Sequence, residues 1–90
     1  MISCIVTAYQ EPRTVGQAIQ ALSDQAWTED YEILVVCPDE PTTAVARTYV
    51  EKDAHVRQVK DAGSGKPAAL NLAFTQVQGD ICVLTDGDVE

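Results

Sequence analysis

The chain has 90 residues, of which 46% are hydrophobic and 22% are charged, as is typical of a globular domain rather than a disordered or fibrous chain. Compact domains cluster at roughly 100–150 residues, so this length suits one small domain, or part of one, and excludes two. Fourteen acidic and six basic residues give a net charge of -8, which opposes non-specific binding to nucleic acid or to an anionic membrane surface.

The first third of the chain predicts two buried strands with a helix between them. Ile2 to Ala8 is almost continuously apolar and β-branched, as in a central strand of a sheet. Pro12 suits the first turn of a helix, and apolar residues then recur at helical spacing to about Gln25 or Trp27. Tyr31 to Cys37 is a second apolar run and predicts the second strand.

The middle of the chain predicts a second helix, a short strand and a glycine-rich loop. Thr42 or Thr43 is expected to cap the helix. His55 to Val59 alternates as an edge strand does, and the polar loop from Lys60 to Pro67 leads into a third helix. The predicted buried face of this third helix comprises Ala69, Leu70, Leu72, Ala73, Phe74 and Val77.

The last ten residues predict a fourth strand that is buried on both faces and stops at the acidic triplet Asp86-Gly87-Asp88. The resulting order is βαβαβαβ, which predicts a mostly parallel sheet with helices on both faces. A reversal of direction after the third strand gives the strand order 3-2-1-4 and opens a crevice between the first and fourth strands. Tyr9 and Asp86 are expected to face each other across this crevice.

Asp86 and Asp88 are the strongest candidates for metal ligands. Alternate residues of a strand point the same way, and hard cations such as Mg²⁺ and Mn²⁺ bind carboxylate oxygens together with substrate phosphates. A solvated acidic turn is an equally simple interpretation of two isolated aspartates. The start of an EF-hand loop also matches the spacing, but a strand precedes these residues where an EF-hand has a helix.

Three further polar side chains are candidates for ligand binding. Lys66 stands beside a helix start, where a phosphate could bind, although the loop lacks the residues of a complete phosphate-binding motif. Asp39 could accept an N–H of a nucleobase, and Tyr9 could lie against its face. A surface lysine, a turn-forming aspartate and a core-capping tyrosine are the corresponding structural interpretations.

The cysteines indicate the cellular compartment in which the chain is expected to fold. Cys4, Cys37 and Cys82 lie in or at the end of apolar runs and form no CxxC pair, so we expect buried free thiols in a reducing cytosol. The start of the chain lacks the pattern of a signal peptide, and no apolar stretch approaches the roughly 20 residues of a membrane-spanning helix. We therefore expect a cytoplasmic location.

Four sequence segments, in order along the whole chain, resemble the N-terminal, nucleotide-sugar-binding half of family 2 glycosyltransferases with the GT-A fold. The segments are Thr7-Ala8-Tyr9-Gln10-Glu11-Pro12, similar to a PxYNE-like opening, then Glu32-Ile33-Leu34-Val35-Val36, then Gly65-Lys66-Pro67-Ala68-Ala69-Leu70-Asn71, similar to GKxxALN, and Asp86-Gly87-Asp88, a DxD. The segment from Cys37 to Thr42 departs from the family's usual VDDGSxDxT.

The resemblance implies a Rossmann-like GT-A half domain over residues 1–90 that ends after the DxD. It also implies roles for individual residues. The residues implied to contact the nucleotide sugar are Thr7, Tyr9, Glu11, Asp39, Lys66 and Asp86. Asp86 and Asp88 are implied to bind the metal ion, which is Mn²⁺ or Mg²⁺. The general base is expected beyond Glu90.

The implied function is transfer of a sugar from a UDP- or GDP-sugar type of donor to an unknown acceptor, with metal assistance and inversion at the anomeric carbon. These 90 residues are then expected to bind donor only. The resemblance also allows association with the cytoplasmic face of a membrane through segments beyond Glu90. The alternatives are a non-catalytic nucleotide- or metal-binding α/β module and an unrelated doubly wound domain whose acidic end binds Mg²⁺.

Overall fold

A computed structural model describes residues 1–86 of the chain, without the side chains of Ile81 and Asp86. Within this range the chain forms an α/β fold with seven elements in strict alternation. The strands are β1 (Ile2–Thr7), β2 (Tyr31–Val36), β3 (Val56–Val59) and β4 (Ile81–Asp86). The helices are α1 (Val15–Ser23), α2 (Glu40–Lys52) and α3 (Lys66–Gln76).

The four strands form one parallel sheet in the order β3-β2-β1-β4, so the predicted fold class and strand order are confirmed. Because β1 pairs with both β2 and β4, the fold reverses direction at β1 as predicted. Parallel pairing brings the carboxyl ends of all described strands to one edge of the sheet, and ligands bind there in open α/β sheets. No helix in the described residues is long and apolar enough to cross a membrane.

Two separate apolar clusters cover the two faces of the sheet. Cys4, Val6 and Val35 point toward α1 and α2, where they pack with Val15 and Ile19. On the other face, α3 contributes Ala69 and Ala73, which pack against residues of β1 and β2 from the alternate strand positions. The helices therefore lie on both faces of the sheet, and the central strands are buried on both sides.

The predicted ends of α1 and the predicted cap of α2 need correction. α1 begins at Val15 and ends at Ser23, so Pro12 precedes it and Trp27 lies beyond it. Asp39 is the N-cap of α2, and its carboxylate accepts a hydrogen bond from the main-chain N–H of Thr42. Thr42 itself lies inside the first turn of α2 and is fully buried.

β4 is exposed where burial on both faces was predicted. Val83 and Leu84 retain 39% and 53% of their accessible surface, and the thiol-bearing Cys82 is exposed as well, whereas Cys4 and Cys37 are buried as predicted. Phe74 of α3, another predicted core residue, is also exposed. The cause is that the helices pack over β1 and β2, and neither apolar cluster includes Cys82, Val83 or Leu84, so the side chains of this edge strand are left uncovered.

A buried carboxylate joins three strands at the amino ends of the sheet, opposite the edge where ligands bind. Glu32 on β2 accepts hydrogen bonds from the Ser3 hydroxyl at 2.7 Å, from the Gln78 main-chain N–H at 2.7 Å and from Arg57 Nε at 3.1 Å. Its side chain is only 6% exposed. This network fixes the α3–β4 connection against β1 and β2.

Gly79, in the α3–β4 connection, lies where any side chain would collide with β1. A Cβ atom there would be 2.6 Å from both the Met1 carbonyl oxygen and the Ser3 hydroxyl. The carbonyl also accepts a hydrogen bond from the Asp80 N–H at 3.0 Å, so it has little freedom to move.

Replacement of Gly79 by alanine is therefore expected to lower the free energy of unfolding by about 1 to 2 kcal/mol, because an extra methyl group in a close-packed site forces the main chain apart. Urea unfolding followed by circular dichroism measures this change. Gly16→Ala is the comparison variant, because its new Cβ would meet the end of the Tyr49 side chain at 3.1 Å, a tight contact that a side chain can relieve more easily than the main chain at Met1 can. An equal loss in both variants would contradict the explanation by steric overlap at Gly79.

Candidate functional site

A cavity of about 340 Å³ opens at the carboxyl edge of the sheet, over the ends of β1, β2 and β3. Its volume lies at the lower end of the roughly 300–1,000 Å³ of small-molecule sites. The loop after β1 contributes Ala8, Tyr9 and Glu11, the end of β2 contributes Val36 and Pro38, and the β3–α3 segment contributes Asp61, Gly63, Gly65 and Lys66. Three consecutive βα connections thus build one concave surface.

The first of these connections turns sharply at Gln10, which has a φ of 54°, the left-handed region that most side chains avoid. Its main-chain N–H donates to Asp39 Oδ1 at 2.9 Å. The next N–H, that of Glu11, donates to Thr42 Oγ1 at 2.9 Å. The β1–α1 loop is therefore held in place by two polar side chains at the start of α2.

Asp39 combines two structural tasks. Oδ1 accepts from Gln10, and Oδ2 accepts from the Thr42 hydroxyl at 2.6 Å and from the Thr42 N–H at 3.2 Å. Burial by itself would raise the pKa of Asp39, but the hydrogen bonds from Gln10 and Thr42 outweigh it and hold the pKa below its ordinary value. The carboxylate is thus stabilised in its charged form beside the cavity.

The β3–α3 connection is shaped by two glycines with positive φ, Gly63 at 79° and Gly65 at 102°. Asp61 fixes the start of this turn by accepting the Gly63 N–H on Oδ2 at 3.2 Å. Gly65 is the N-cap of α3, so the positive end of the helix dipole faces the cavity, with Lys66 as the first helical residue. Lys66 also lines a neighbouring pocket of about 130 Å³, together with Thr7 and Thr85.

Two carboxylate oxygens of the cavity lining are left without a hydrogen-bond donor. Glu11 uses Oε1 to accept from the Tyr9 N–H at 3.3 Å, and Asp61 uses Oδ2 for its own loop. In the described part of the chain, the other oxygens, Glu11 Oε2 and Asp61 Oδ1, are buried and have no partner. Buried polar atoms without a partner are rare in folded proteins and cost roughly 1–3 kcal/mol each.

The acidic triplet Asp86-Gly87-Asp88 lies where the described residues end. Asp86 is the last residue of β4, and its Cα lies opposite that of Thr7 in the β1–β4 register, next to the two cavities. Asp88 lies outside the described residues. Among the side chains that the structure describes, which do not include that of Asp86, there is no group of three or more histidine, cysteine, aspartate or glutamate side chains arranged to hold a metal ion.

The fold brings most of the predicted site residues to this edge. Thr7, Tyr9, Glu11 and Lys66 line the main cavity, and the Tyr9 side chain is 61% exposed. Asp39 lies behind the β1–α1 loop as a cap and anchor, and whether it also contacts a base stays a prediction.

Asp61 is a site residue that the sequence analysis missed. The signal was present, because Asp61 comes two residues after the end of β3, at the edge where the carboxyl ends of the strands meet, as Asp39 comes shortly after β2.

Comparison with known families and proteins gives a consistent picture. Residues 3–90 match the family described as Glycosyl transferase family 2. The chain is 28% identical over 94 residues to a Bacillus subtilis (strain 168) protein named Probable glycosyltransferase YdaM, covering 97% of this chain and 22% of that protein. It is also 28% identical over 90 residues to the glycosyltransferase EpsJ of the same organism, covering 98% of this chain and 26% of EpsJ.

Among solved structures, the fold is similar to that of the mannosyltransferase PcManGT from Pyrobaculum calidifontis in complex with GDP-Man and Mn²⁺. The TM-score is 0.88 at 27% identity, over 97% of this chain and 27% of PcManGT. S. aureus TarS, residues 1–349, shares the fold with a TM-score of 0.80 at 23% identity, over 97% of this chain and 27% of that chain. The chain spans about a quarter of the length of the curated relatives it matches.

Proposed function

Because the chain belongs to glycosyl transferase family 2, we propose that it is the nucleotide-sugar-binding part of an enzyme that transfers a sugar from a nucleotide-diphosphate donor to an acceptor. The observation that carries the proposal is the cavity of about 340 Å³, which brings Tyr9, Glu11 and Lys66 together at the carboxyl edge of the sheet. The mannosyltransferase with a similar fold was crystallised with GDP-Man and Mn²⁺, which supports a nucleotide sugar as the ligand.

In this proposal the nucleoside occupies the main cavity. Tyr9 offers an exposed ring against which a base can stack, and the anchored β1–α1 loop keeps that ring in position. Lys66 lines both the main cavity and the pocket beside Thr7 and Thr85, so its ammonium group is placed to balance the charge of the diphosphate. The N-terminus of α3 adds main-chain N–H groups and a favourable dipole for the same anion.

Asp86 and Asp88 are the proposed metal ligands. Their carboxylate oxygens suit a hard divalent cation that shares its remaining positions with phosphate oxygens, and β4 ends beside the two cavities. When bound, Mn²⁺ or Mg²⁺ would offset negative charge on the departing nucleoside diphosphate. The acceptor site and the general base that deprotonates the acceptor hydroxyl are proposed to lie in sequence beyond Glu90, with inversion at the anomeric carbon.

The cytoplasm is the proposed compartment, because Cys4 and Cys37 are buried free thiols of the kind that persist in reducing surroundings.

Isothermal titration calorimetry of GDP and UDP, with and without Mn²⁺, tests the donor site. At least one of the two nucleotides is expected to bind, and more tightly with Mn²⁺. Asp88→Asn should abolish the gain in affinity from Mn²⁺, because an amide coordinates a hard cation more weakly than a carboxylate does. Asp80→Asn is the matched control, since Asp80 lies at the opposite end of β4, and it should leave the gain unchanged. If neither nucleotide binds, the proposed function is wrong.

A further inference from the structure

Resting on the proposed nucleotide-sugar site, we infer that Asp61 is a positioning residue for the diphosphate of the donor. It acts through the main chain of the β3–α3 connection, residues 60–65, and does not itself touch the ligand. By holding this connection in one conformation, Asp61 directs the start of α3 and Lys66 toward the cavity.

The carboxylate of Asp61 is engaged by its own loop. Oδ2 accepts a hydrogen bond from the Gly63 main-chain N–H, two residues ahead, at 3.2 Å, which is the contact that closes an Asx turn. Oδ1 is buried and has no partner among the residues that the structure describes. Because Oδ1 is out of reach of a ligand in the cavity and Oδ2 is used by the turn, the carboxylate orients the main chain rather than the ligand.

The turn depends on such support because two of its residues are glycines with positive φ, Gly63 at 79° and Gly65 at 102°. Glycine reaches these conformations without strain but loses more conformational freedom on folding than any other residue. Gly63 has two contacts that hold it, the hydrogen bond to Asp61 and its packing on Pro38. A Cβ atom added at Gly63 would lie 3.6 Å from the Cβ atom of Pro38. Without Asp61 only the Pro38 contact is left.

The conformation of this turn decides where α3 begins. Gly65 is the N-cap, and its carbonyl oxygen accepts the Ala69 N–H at 3.1 Å. Gly65 has no side chain with which to cap the helix, in contrast to Asp39 at the start of α2, so the first main-chain N–H groups of α3 suit an anionic ligand. Lys66 follows directly and lines both the main cavity and the smaller pocket beside Thr7. An ordered turn presents these groups before the donor binds, which reduces the entropy lost on binding.

Removal of the Asp61 carboxylate is expected to weaken nucleotide binding. In calorimetry with Mn²⁺ and with whichever of GDP and UDP binds the unmodified protein, Asp61→Ala should bind about fivefold more weakly, the effect of one lost hydrogen bond. Asp61→Asn keeps an oxygen that accepts the Gly63 N–H, so it should bind within about twofold of the unmodified protein. Asp80→Ala and Asp80→Asn are the matched controls at the opposite edge of the sheet and should leave the affinity unchanged.

Two further measurements test whether the effect passes through α3 to the diphosphate. In a double-mutant cycle with Lys66→Gln, Asp61→Ala should cost less affinity in the Lys66→Gln background than in the unmodified protein. The corresponding nucleoside, guanosine or uridine, lacks the diphosphate. Its affinity, measured by NMR titration, should change by less than about twofold in Asp61→Ala.

Gly63→Ala provides an independent variant if Asp61→Ala does not fold. It strains the same turn through the φ of 79° and leaves the Asp61 side chain in place, so it should weaken nucleotide binding as Asp61→Ala does. Circular dichroism establishes which variants are folded.

The possible results separate this role of Asp61 from the proposed function. If no nucleotide binds the unmodified protein, the proposed function fails and the role of Asp61 with it. If nucleotide binds and Asp61→Ala binds it equally well, the donor site stands and the positioning role is overturned. Equal losses in Asp61→Asn and Asp61→Ala would show that the charge of Asp61 matters rather than the turn. An additive cycle with Lys66→Gln, or an equal loss for nucleoside and nucleotide, would show that Asp61 does not act on the diphosphate through α3. Each of these results also overturns the positioning role.

Discussion

Replacement of Glu32 by leucine is expected to lower the free energy of unfolding by about 3 kcal/mol, the largest effect of a single substitution that we predict for this chain. The substitution leaves the Ser3 hydroxyl, the Gln78 N–H and the Arg57 guanidinium without their shared acceptor. Ser3 is fully buried, so water cannot replace the lost partner there. Arg57 is 37% exposed and can be rehydrated, which places the effect at the lower end of the range for broken buried ion pairs.

The Glu32 site also predicts a dependence of stability on pH. Burial would raise the pKa of Glu32, but the Gln78 N–H, the Ser3 hydroxyl and Arg57 outweigh burial and lower it below the ordinary value. Because the folded-state pKa is the lower one, this stabilisation is fully present above the ordinary glutamate pKa. It is lost as the pH falls through the folded-state pKa.

Urea unfolding of the wild type and Glu32→Leu across this acidic range measures both effects. The difference between the two proteins should be largest near neutral pH and shrink in acid. Glu51→Leu, which changes an exposed carboxylate on α2, should shift stability by no more than about 0.5 kcal/mol. A difference between wild type and Glu32→Leu that stays constant down to the lowest pH would show that the charge of Glu32 does not contribute.

Replacement of Asp39 by alanine is expected to reduce both stability and nucleotide affinity. Loss of the α2 cap and of the acceptor for Gln10 should cost about 2 kcal/mol. Without that acceptor, the left-handed conformation of Gln10 loses its support, and the loop that carries Tyr9 and Glu11 becomes less ordered. Nucleotide binding should weaken by about tenfold, because the ligand must then order the loop.

Two companion variants separate the roles of Asp39. Asp39→Ser keeps a good N-cap residue but its shorter side chain cannot also reach Gln10, so only the part of the stability that comes from the cap should recover, while nucleotide binding stays weak. Asp39→Asn keeps the cap and an oxygen that can accept from Gln10, so a role as loop anchor predicts nearly normal nucleotide binding. If Asp39→Asn is stable yet binds nucleotide as poorly as Asp39→Ala, direct recognition of the base by Asp39 is the better explanation. Calorimetry and thermal unfolding of the three variants provide the comparison.

Sequence patterns predicted the order of elements and the strand order, because both depend on local information. Continuous apolar runs identified β1 and β2, helical spacing identified the helices, and the preference for right-handed crossovers left few arrangements of a βαβαβαβ chain. The motifs around Tyr9 and Lys66 could be placed at the carboxyl edge of the sheet for the same reason, since each directly follows a strand or begins a helix.

The tertiary structure decided what the polar side chains do. Asp39 rather than Thr42 or Thr43 caps α2, because the loop after β1 supplies Gln10 as a second partner for its carboxylate. Likewise Glu32, which looks like an ordinary strand residue, is buried because Arg57 and Gln78 reach it from distant parts of the chain. β4 looks as apolar as β1 in sequence, but the helices pack over β1 and β2 and leave Val83 and Leu84 of β4 exposed.

The sequence by itself thus determined a parallel α/β fold of this family and placed its candidate site residues at the carboxyl edge of the sheet, because strand and helix patterns repeat over a few residues. Only the tertiary structure brought Glu11 and Asp61 into one cavity, each with an oxygen that lacks a partner in the described residues. That pairing joins loops 50 residues apart and is set by the packing of β1, β2 and β3, so no local pattern could have predicted it.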